Sequence, residues 1–366
     1  MRWSGLILAA ALLAAAPFVI SPYNLSLLGR FLALAILGLG IAIVWGYAGI
    51  LSLGQGVFFG LGGYALAMHL KLVADGFPDF MVWNGVESLP WWWTPFSNPG
   101  FALAMVVVAP TAVAVFLGVL FFRRRVTGVY IALITQALAL AFATLLISQQ
   151  GSTGGFNGLT NFNTFLGMKL SAPHIRLALY GVTAAFLVSG FLAMRWMTGT
   201  HFGKMLVAIR DGENRVRFLG YDPSLYKTAA FGISALLAGV SGALFTLHLG
   251  VISPAMVGVL PSIEMVIGVA IGGREALGGA VFGTVFMNIL KDRVSSAFPN
   301  AWLYVVGAMF VLVVIALPRG FAGLAETAAA SRLRALGRLR GKSAPLARKA
   351  VAVEVAEGAV TVERGD

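Results

Sequence analysis

Residues 28–70 read LGRFLALAILGLGIAIVWGYAGILSLGQGVFFGLGGYALAMHL, with Arg30 as the one charged residue. Two apolar runs, 28–47 and 50–70, almost fuse at Tyr47-Ala48-Gly49. Each approaches the ~20 apolar residues that a helix needs to cross a bilayer. The runs are continuous rather than alternating, which excludes the ~10-residue dyad pattern of a membrane β-barrel. Glycine recurs through the join, at Gly46, Gly49, Gly54, Gly56, Gly60, Gly62 and Gly63. Small residues let membrane helices pack closely. Clustered glycines also mark broken or re-entrant helices, whose freed backbone groups survive at membrane depth only against protein or a cavity. The stretch therefore predicts two spans with a break between them.

Working outward, the composition agrees. Of 366 residues, 59% are apolar and 11% charged, against roughly 45–50% and about 25% in soluble proteins. A soluble enzyme or nucleic-acid-binding domain is excluded on these numbers. The net charge of +12 fits basic residues held in cytoplasmic loops, since they flank apolar spans. No cysteine is present, so disulfides, thiolate metal sites and cysteine nucleophiles are excluded. The pattern predicts an all-α polytopic bundle of about ten spans (8–10), near 5–21, 28–47, 50–70, 101–122, 126–147, 176–197, 227–249, 260–273, 277–297 and 301–318. The first could be a retained span or a signal peptide. With it retained and both termini cytoplasmic, 20 basic residues fall inside and 6 outside, as the positive-inside rule requires. Lys291 and Arg293 run against that count; either the ninth span ends early or they face the protein interior. The loop 71–100 carries Trp83 and Trp91 to Trp93, an aromatic belt by default. Residues 1–325 are thus one membrane domain. Residues 326–366, basic and then apolar–acidic, form a cytoplasmic tail expected to be partly disordered or to lie on the membrane surface.

Few polar residues lie inside the spans. Glu264 costs about 2.5–3.5 kcal/mol at a helix centre on insertion scales, so it needs a partner, such as Arg274, or a position near the interface. Gln55 and Gln136 are neutral and could bind substrate or tie helices together. A second glycine cluster, Gly268 to Gly283, mirrors the first, and paired interrupted segments point to a translocation path in transporters. The loop Gly151 to Asn161 is turn-rich, and Asn157 stands at this mouth. Gln55, Gln136, Asn157 and Glu264 are the candidate pathway residues. No catalytic constellation appears. Gly199 to Met205 departs from a phosphate loop in spacing and in the residue that would hold Mg²⁺. The four histidines are scattered, and no metal site or cofactor is expected on this chain.

The stretch 199–223 is about 25 residues long, amphipathic and too polar to span. Met205, Ala208 and Ile209 follow helical spacing, and Gly212 breaks the run. A short helix–turn–helix between two spans suits docking to a cytoplasmic partner, or lies on the membrane surface.

This stretch resembles the coupling loop of ABC importer permeases of the branched-chain amino acid and urea type, through Phe202, Gly203, Lys204, Leu206, Ala208 to Asp211, Gly220, Tyr221, Tyr226 and Lys227. Trp45 to Gly49, Leu51 to Gly56, Ser262-Ile263-Glu264, Gly272-Gly273-Arg274 and Leu317 to Gly320 resemble the same family, over about residues 25–325. Within it the urea-type permease looks nearer, through Pro78 to Val82, Leu89 to Trp93, Arg125 to Tyr130, Ile134 to Leu138 and Asn157 to Thr160. Gly154 to Asn157 depart from the urea pattern, as does Glu275, where a small residue is usual. The resemblance implies an inner-membrane permease without catalysis of its own. It also implies a second related permease chain, two ATPase subunits that hold the ATP and Mg²⁺, and an external binding protein. Phe202, Gly203, Ala208, Arg210, Asp211 and Gly220 would serve ATPase coupling, with Gly203 and Ala208 allowing close docking and Arg210 and Asp211 making polar contacts. Branched-chain amino acids are the alternative substrate. A secondary transporter would want several intramembrane carboxylates, and a passive urea channel would have no use for the long loop.

Overall fold

The computed structural model describes residues 3–323 except 163, 166, 171, 300–303, 306, 310 and 313–319. The tenth expected span falls mostly outside the described residues, as does the tail. Twelve α-helices are described: α1 (Trp3–Val19), α2 (Pro22–Ile41), α3 (Gln55–Asp75), α4 (Asp79–Trp83), α5 (Pro99–Arg123), α6 (Val129–Ser148), α7 (Gln150–Thr153), α8 (Pro173–Gly199), α9 (His201–Phe218), α10 (Pro223–Leu249), α11 (Val259–Gly272) and α12 (Leu277–Ala297). One small hairpin, Thr164–Phe165 with Met168–Lys169, interrupts them. Seven of the described helices are long and apolar enough to cross a membrane: α2 with its extension to Tyr47, α3, α5, α6, α8, α10, and α11 with the turn before it. The fold is a polytopic helical bundle, as the sequence predicts.

The helix starts follow from local chemistry. Proline occupies the first turn of α2, α5, α8 and α10, where its missing N–H costs nothing. Asn98 and Asp222 cap α5 and α10 by accepting from Gly100 N at 2.8 Å and Ser224 N at 2.9 Å. Gly250, with φ of 75°, ends α10 in the left-handed region that a side chain would disfavour.

Three helices form the centre. In α2, α3 and α10, 78% of the apolar stretch is buried, against 22% in α5, 33% in α6 and 28% in α8. Small residues allow the close approach. A Cβ at Gly242 of α10 would sit 1.9 Å from the Phe59 carbonyl oxygen of α3. At Gly62 it would sit 2.1 Å from Gly239 O, and at Gly40 of α2 2.9 Å from Ser234 O. Ser241 adds a hydroxyl hydrogen bond across to Ala33 O at 2.7 Å.

The molecule has two faces. One carries α9, the α5–α6 turn with Arg123 to Arg125, and the α11–α12 turn. The opposite one carries the tryptophan loop, where Trp93 is fully buried and donates to Ser152 O at 3.1 Å. The belt reading therefore fails for Trp93, a core residue, while Trp83 and Trp91 are exposed.

Candidate functional site

The fused runs separate as the glycine pattern predicts. α2 widens into a π-helical turn, Ala42–Tyr47. An irregular segment follows before α3 begins at Gln55. Helix starts leave N–H groups without intrahelical partners, and inside a membrane these must be satisfied by protein. Side-chain hydroxyls do so. Leu53 N donates to Thr135 Oγ1 of α6 at 3.0 Å, and Gly56 N to Ser262 Oγ of α11 at 3.1 Å. The break is thus clasped between α6 and α11. Gln55 sits at its centre, 1% exposed, and its Oε1 is buried without a hydrogen-bond partner among the described residues. Gln136, next to Thr135, is half-buried on α6.

α11 runs from the mouth side inward. After α10, Ile252 pairs with Leu159 of the mouth loop through two backbone hydrogen bonds of 2.9 and 3.0 Å. The chain then turns inward. Val257, fully buried, lies against Gly56 and Gly60 of α3, so α11 begins deep in the bundle. α11 alone is about 21 Å long at 1.5 Å per residue, with the turn Pro254–Met256 before it making up the length of a span. It then packs on α12 through glycine: a Cβ at Gly272 would meet Gly279 O at 1.8 Å.

A cavity of about 330 Å³ opens between α2, α11 and α12. Glu264 lines it and pairs with Lys291 of α12. This corrects the expected pairing with Arg274, whose guanidinium instead lies 5.1 Å from the Trp45 ring centroid. It also shows why Lys291 runs against the topology count: α12 continues to Ala297 and turns Lys291 to an interior partner. Arg30 and Asp292 face the same cavity, with Met256, Met265 and Met287 supplying apolar wall. Asn157 stays apart, exposed in the mouth loop. The four candidate pathway residues therefore occupy three places: Gln55 and Gln136 at the break, Glu264 at the ionic cavity, and Asn157 at the mouth.

α9 carries the remaining candidates. Gly212, with φ −174° and ψ 73°, kinks it into two halves. The second half is pinned to α10, since Glu213 accepts from Lys227 of α10 and from Arg217. Burial raises the Glu213 pKa, but those hydrogen bonds and charges outweigh it and hold the carboxyl below its ordinary value. In the first half, Gly203 is buried, and a Cβ there would sit 2.4 Å from the Thr198 backbone. Its close approach is to α8 of the same chain. Ala208 and Asp211 are exposed, Phe202 is half-buried, and Gly220 closes the stretch at φ 89° with open space around it. Arg210 points inward. Its Nη1 donates to Gly46 O at 2.6 Å, its Nε to Asp211 Oδ1 at 2.9 Å, and Nη1 lies 3.6 Å from Glu275 Oε1. Sequence reasoning singled out Arg210 without these partners, and missed Thr135 and Ser262. A hydroxyl on the helix facing a glycine break is the signal that finds such residues.

Residues 23–314 match the family model described as branched-chain amino acid transport system, permease component. The chain belongs to this family. Its matched region contains the break, the ionic cavity and α9. It is also similar to the high-affinity branched-chain amino acid transport system permease protein LivM of Salmonella typhimurium and of Escherichia coli, at 25% identity over 326 residues, covering 83% of this chain and 71% of the relative. The corresponding protein BraD of Pseudomonas aeruginosa is 21% identical over 300 residues, covering 80% of this chain and 92% of the relative. A shorter match, 30% over 141 residues, reaches the xylose transport system permease protein XylH of Escherichia coli, covering 36% of this chain and 35% of that one. No solved structure matches. As an ABC permease of this family, the chain is a multi-pass membrane transport component, and its relatives are permeases rather than enzymes.

Proposed function

We propose that this permease carries urea into the cytoplasm. It does so beside a second related permease chain, driven by two ATPase subunits that bind the ATP and Mg²⁺ and fed by an external binding protein. The α9 face is the cytoplasmic one. It gathers Arg123 to Arg125, Lys204, Arg215 and Arg217, in line with the positive-inside rule. α9 is then the part that the ATPases push, through its exposed residues.

The observation that carries the substrate reading is Gln55 Oε1. A buried amide oxygen without a donor costs about 1–3 kcal/mol, and a neutral ligand rich in N–H groups removes that cost as it passes. The groups nearest this break are also neutral: the hydroxyls of Thr135 and Ser262. A neutral diamide matches such a set, and the urea-type pattern at 125–138 and 157–160 agrees with it.

Branched-chain amino acids are the second reading. The names of LivM and BraD favour them, and so does the cavity, where Arg30 and the Glu264–Lys291 pair stand beside methionines. A zwitterion with an apolar side chain fits those walls. Uptake of labelled urea and labelled leucine by the reconstituted complex, with and without ATP, separates the readings. ATP-dependent urea uptake is expected. Leucine uptake would transfer the assignment to the cavity, and urea uptake without ATP would make the protein a channel.

A further inference from the structure

We propose that Arg210 is the positioning residue that carries movement of the first half of α9 to the α2–α3 break and to the α11–α12 turn. This rests on the reading of α9 as the segment that partner ATPases push. Three parts of the chain meet at one guanidinium. Arg210 itself belongs to α9. Gly46, whose carbonyl oxygen it holds, closes the wide last turn of α2, where Ala48 N reaches back to Ile43 O and Ile50 N to Val44 O. Glu275 belongs to the turn that joins α11 to α12.

The packing leaves little slack between these parts. A Cβ at Gly46 would sit 1.9 Å from Arg274 O, so α2 ends directly on the α11–α12 turn. The Arg210 stem lies against Gly49, whose φ of 73° is a conformation other residues rarely adopt. Arg274 lies over the Trp45 ring, 5.1 Å from its centroid. The guanidinium therefore grips a rigid knot rather than a loose loop.

The kink at Gly212 divides the labour. Beyond it, Glu213 ties the helix to α10 through Lys227. Before it, Arg210 is a polar link from α9 to the end of α2 and to the α11–α12 turn among the described residues. A shift of the first half about Gly212 thus pulls on the Gly46 carbonyl and on Glu275, and so on the end of α2 and on the α11–α12 turn beside the break. Glu275, unusual for the family resemblance, supplies the charge that keeps the guanidinium at the turn. With Nη1 held by the Gly46 carbonyl, Arg210 acts through the permease itself.

The test uses the full complex with its ATPases and binding protein in proteoliposomes, reading uptake per ATP hydrolysed and ATPase subunits retained on purification. Arg210→Gln is expected to keep the subunits at wild-type stoichiometry and to lower uptake per ATP about tenfold, within the range of coupling effects. Glu275→Gln, which leaves Arg210 in place, should lower it severalfold less. The exchange of Arg210→Glu with Glu275→Arg should recover part of what Arg210→Glu alone loses. Loss of the ATPase subunits from Arg210→Gln would make Arg210 a docking contact and overturn the proposal. Unchanged uptake per ATP in Arg210→Gln and Glu275→Gln would overturn it too. A wild-type complex without ATP-dependent uptake of urea or leucine would remove the transport reading itself, and the link with it.

Discussion

The central helices α2, α3 and α10 and the peripheral helices α5, α6 and α8 are similarly apolar, yet they are built differently. The central three bury most of their apolar stretch, and Gly40, Gly62, Gly239 and Gly242 among their glycines meet backbone of another helix. The peripheral three leave most of theirs uncovered, and Gly181 and Gly199 of α8 meet nothing within 4 Å. In lipid, apolar surface gains little by leaving the hydrocarbon, so helix association depends on packing and small residues. Hydropathy therefore marks which helices span, while the glycines that touch backbone mark which ones hold the bundle together.

The largest effect should come from filling a central contact. Gly242→Val must displace the Phe59 carbonyl, since even a Cβ would sit 1.9 Å from it. Overpacking of this kind costs about 3 kcal/mol or more, and the expected outcome is loss of monodisperse protein after detergent extraction. Normal yield and unchanged thermal stability would mean that the central packing does not decide folding.

Next is the break at the start of α3. Gln55→Leu should retain the fold and reduce urea uptake about tenfold, the worth of roughly one hydrogen bond to a passing ligand. Gln136→Leu, on the peripheral α6, should reduce it less. Equal losses from the two changes would erase the distinction between centre and periphery at this site.

A smaller effect is expected where α9 is pinned to the centre. Glu213→Gln weakens the link to Lys227 and Arg217 by about 1 kcal/mol, since the carboxylate remains 23% exposed and screened by solvent. The folded-state pKa of Glu213 lies below its ordinary value of 4.5. The stabilisation is therefore fully present above that value and is lost as pH falls through the lowered one. A melting curve recorded against pH should fall more steeply on the acid side in the native protein than in Glu213→Gln. Coincident curves would deny the pin any energetic role.

The smallest effect is expected at Gly181→Ala, which faces open space. Yield and thermal stability should not change, and a clear loss would show that another chain closes on α8.

The break and the kink were legible because their signals are local. The glycine cluster from Gly46 to Gly63 announced the break, and Gly212 the kink in α9. The partners were not legible. Glu264 was matched to Arg274, ten residues away, but its mate Lys291 lies 27 residues on. Gly203 was read as allowing close docking, and the close approach within this chain is to Thr198 of the preceding helix. Trp93 was read with the interfacial tryptophans and is core.

The sequence alone determined that the chain lives in a bilayer, about where its helices run, where they break, and which family it resembles. Each follows from composition or pattern within short windows, because a spanning helix satisfies its own backbone and needs only length and apolarity. The tertiary structure decided which helices are central, that Glu264 pairs with Lys291 in the wall of a cavity, and that Arg210 reaches Gly46 across 164 residues. These depend on which small residues meet when helices pack, a relation between distant segments that no single window of sequence contains.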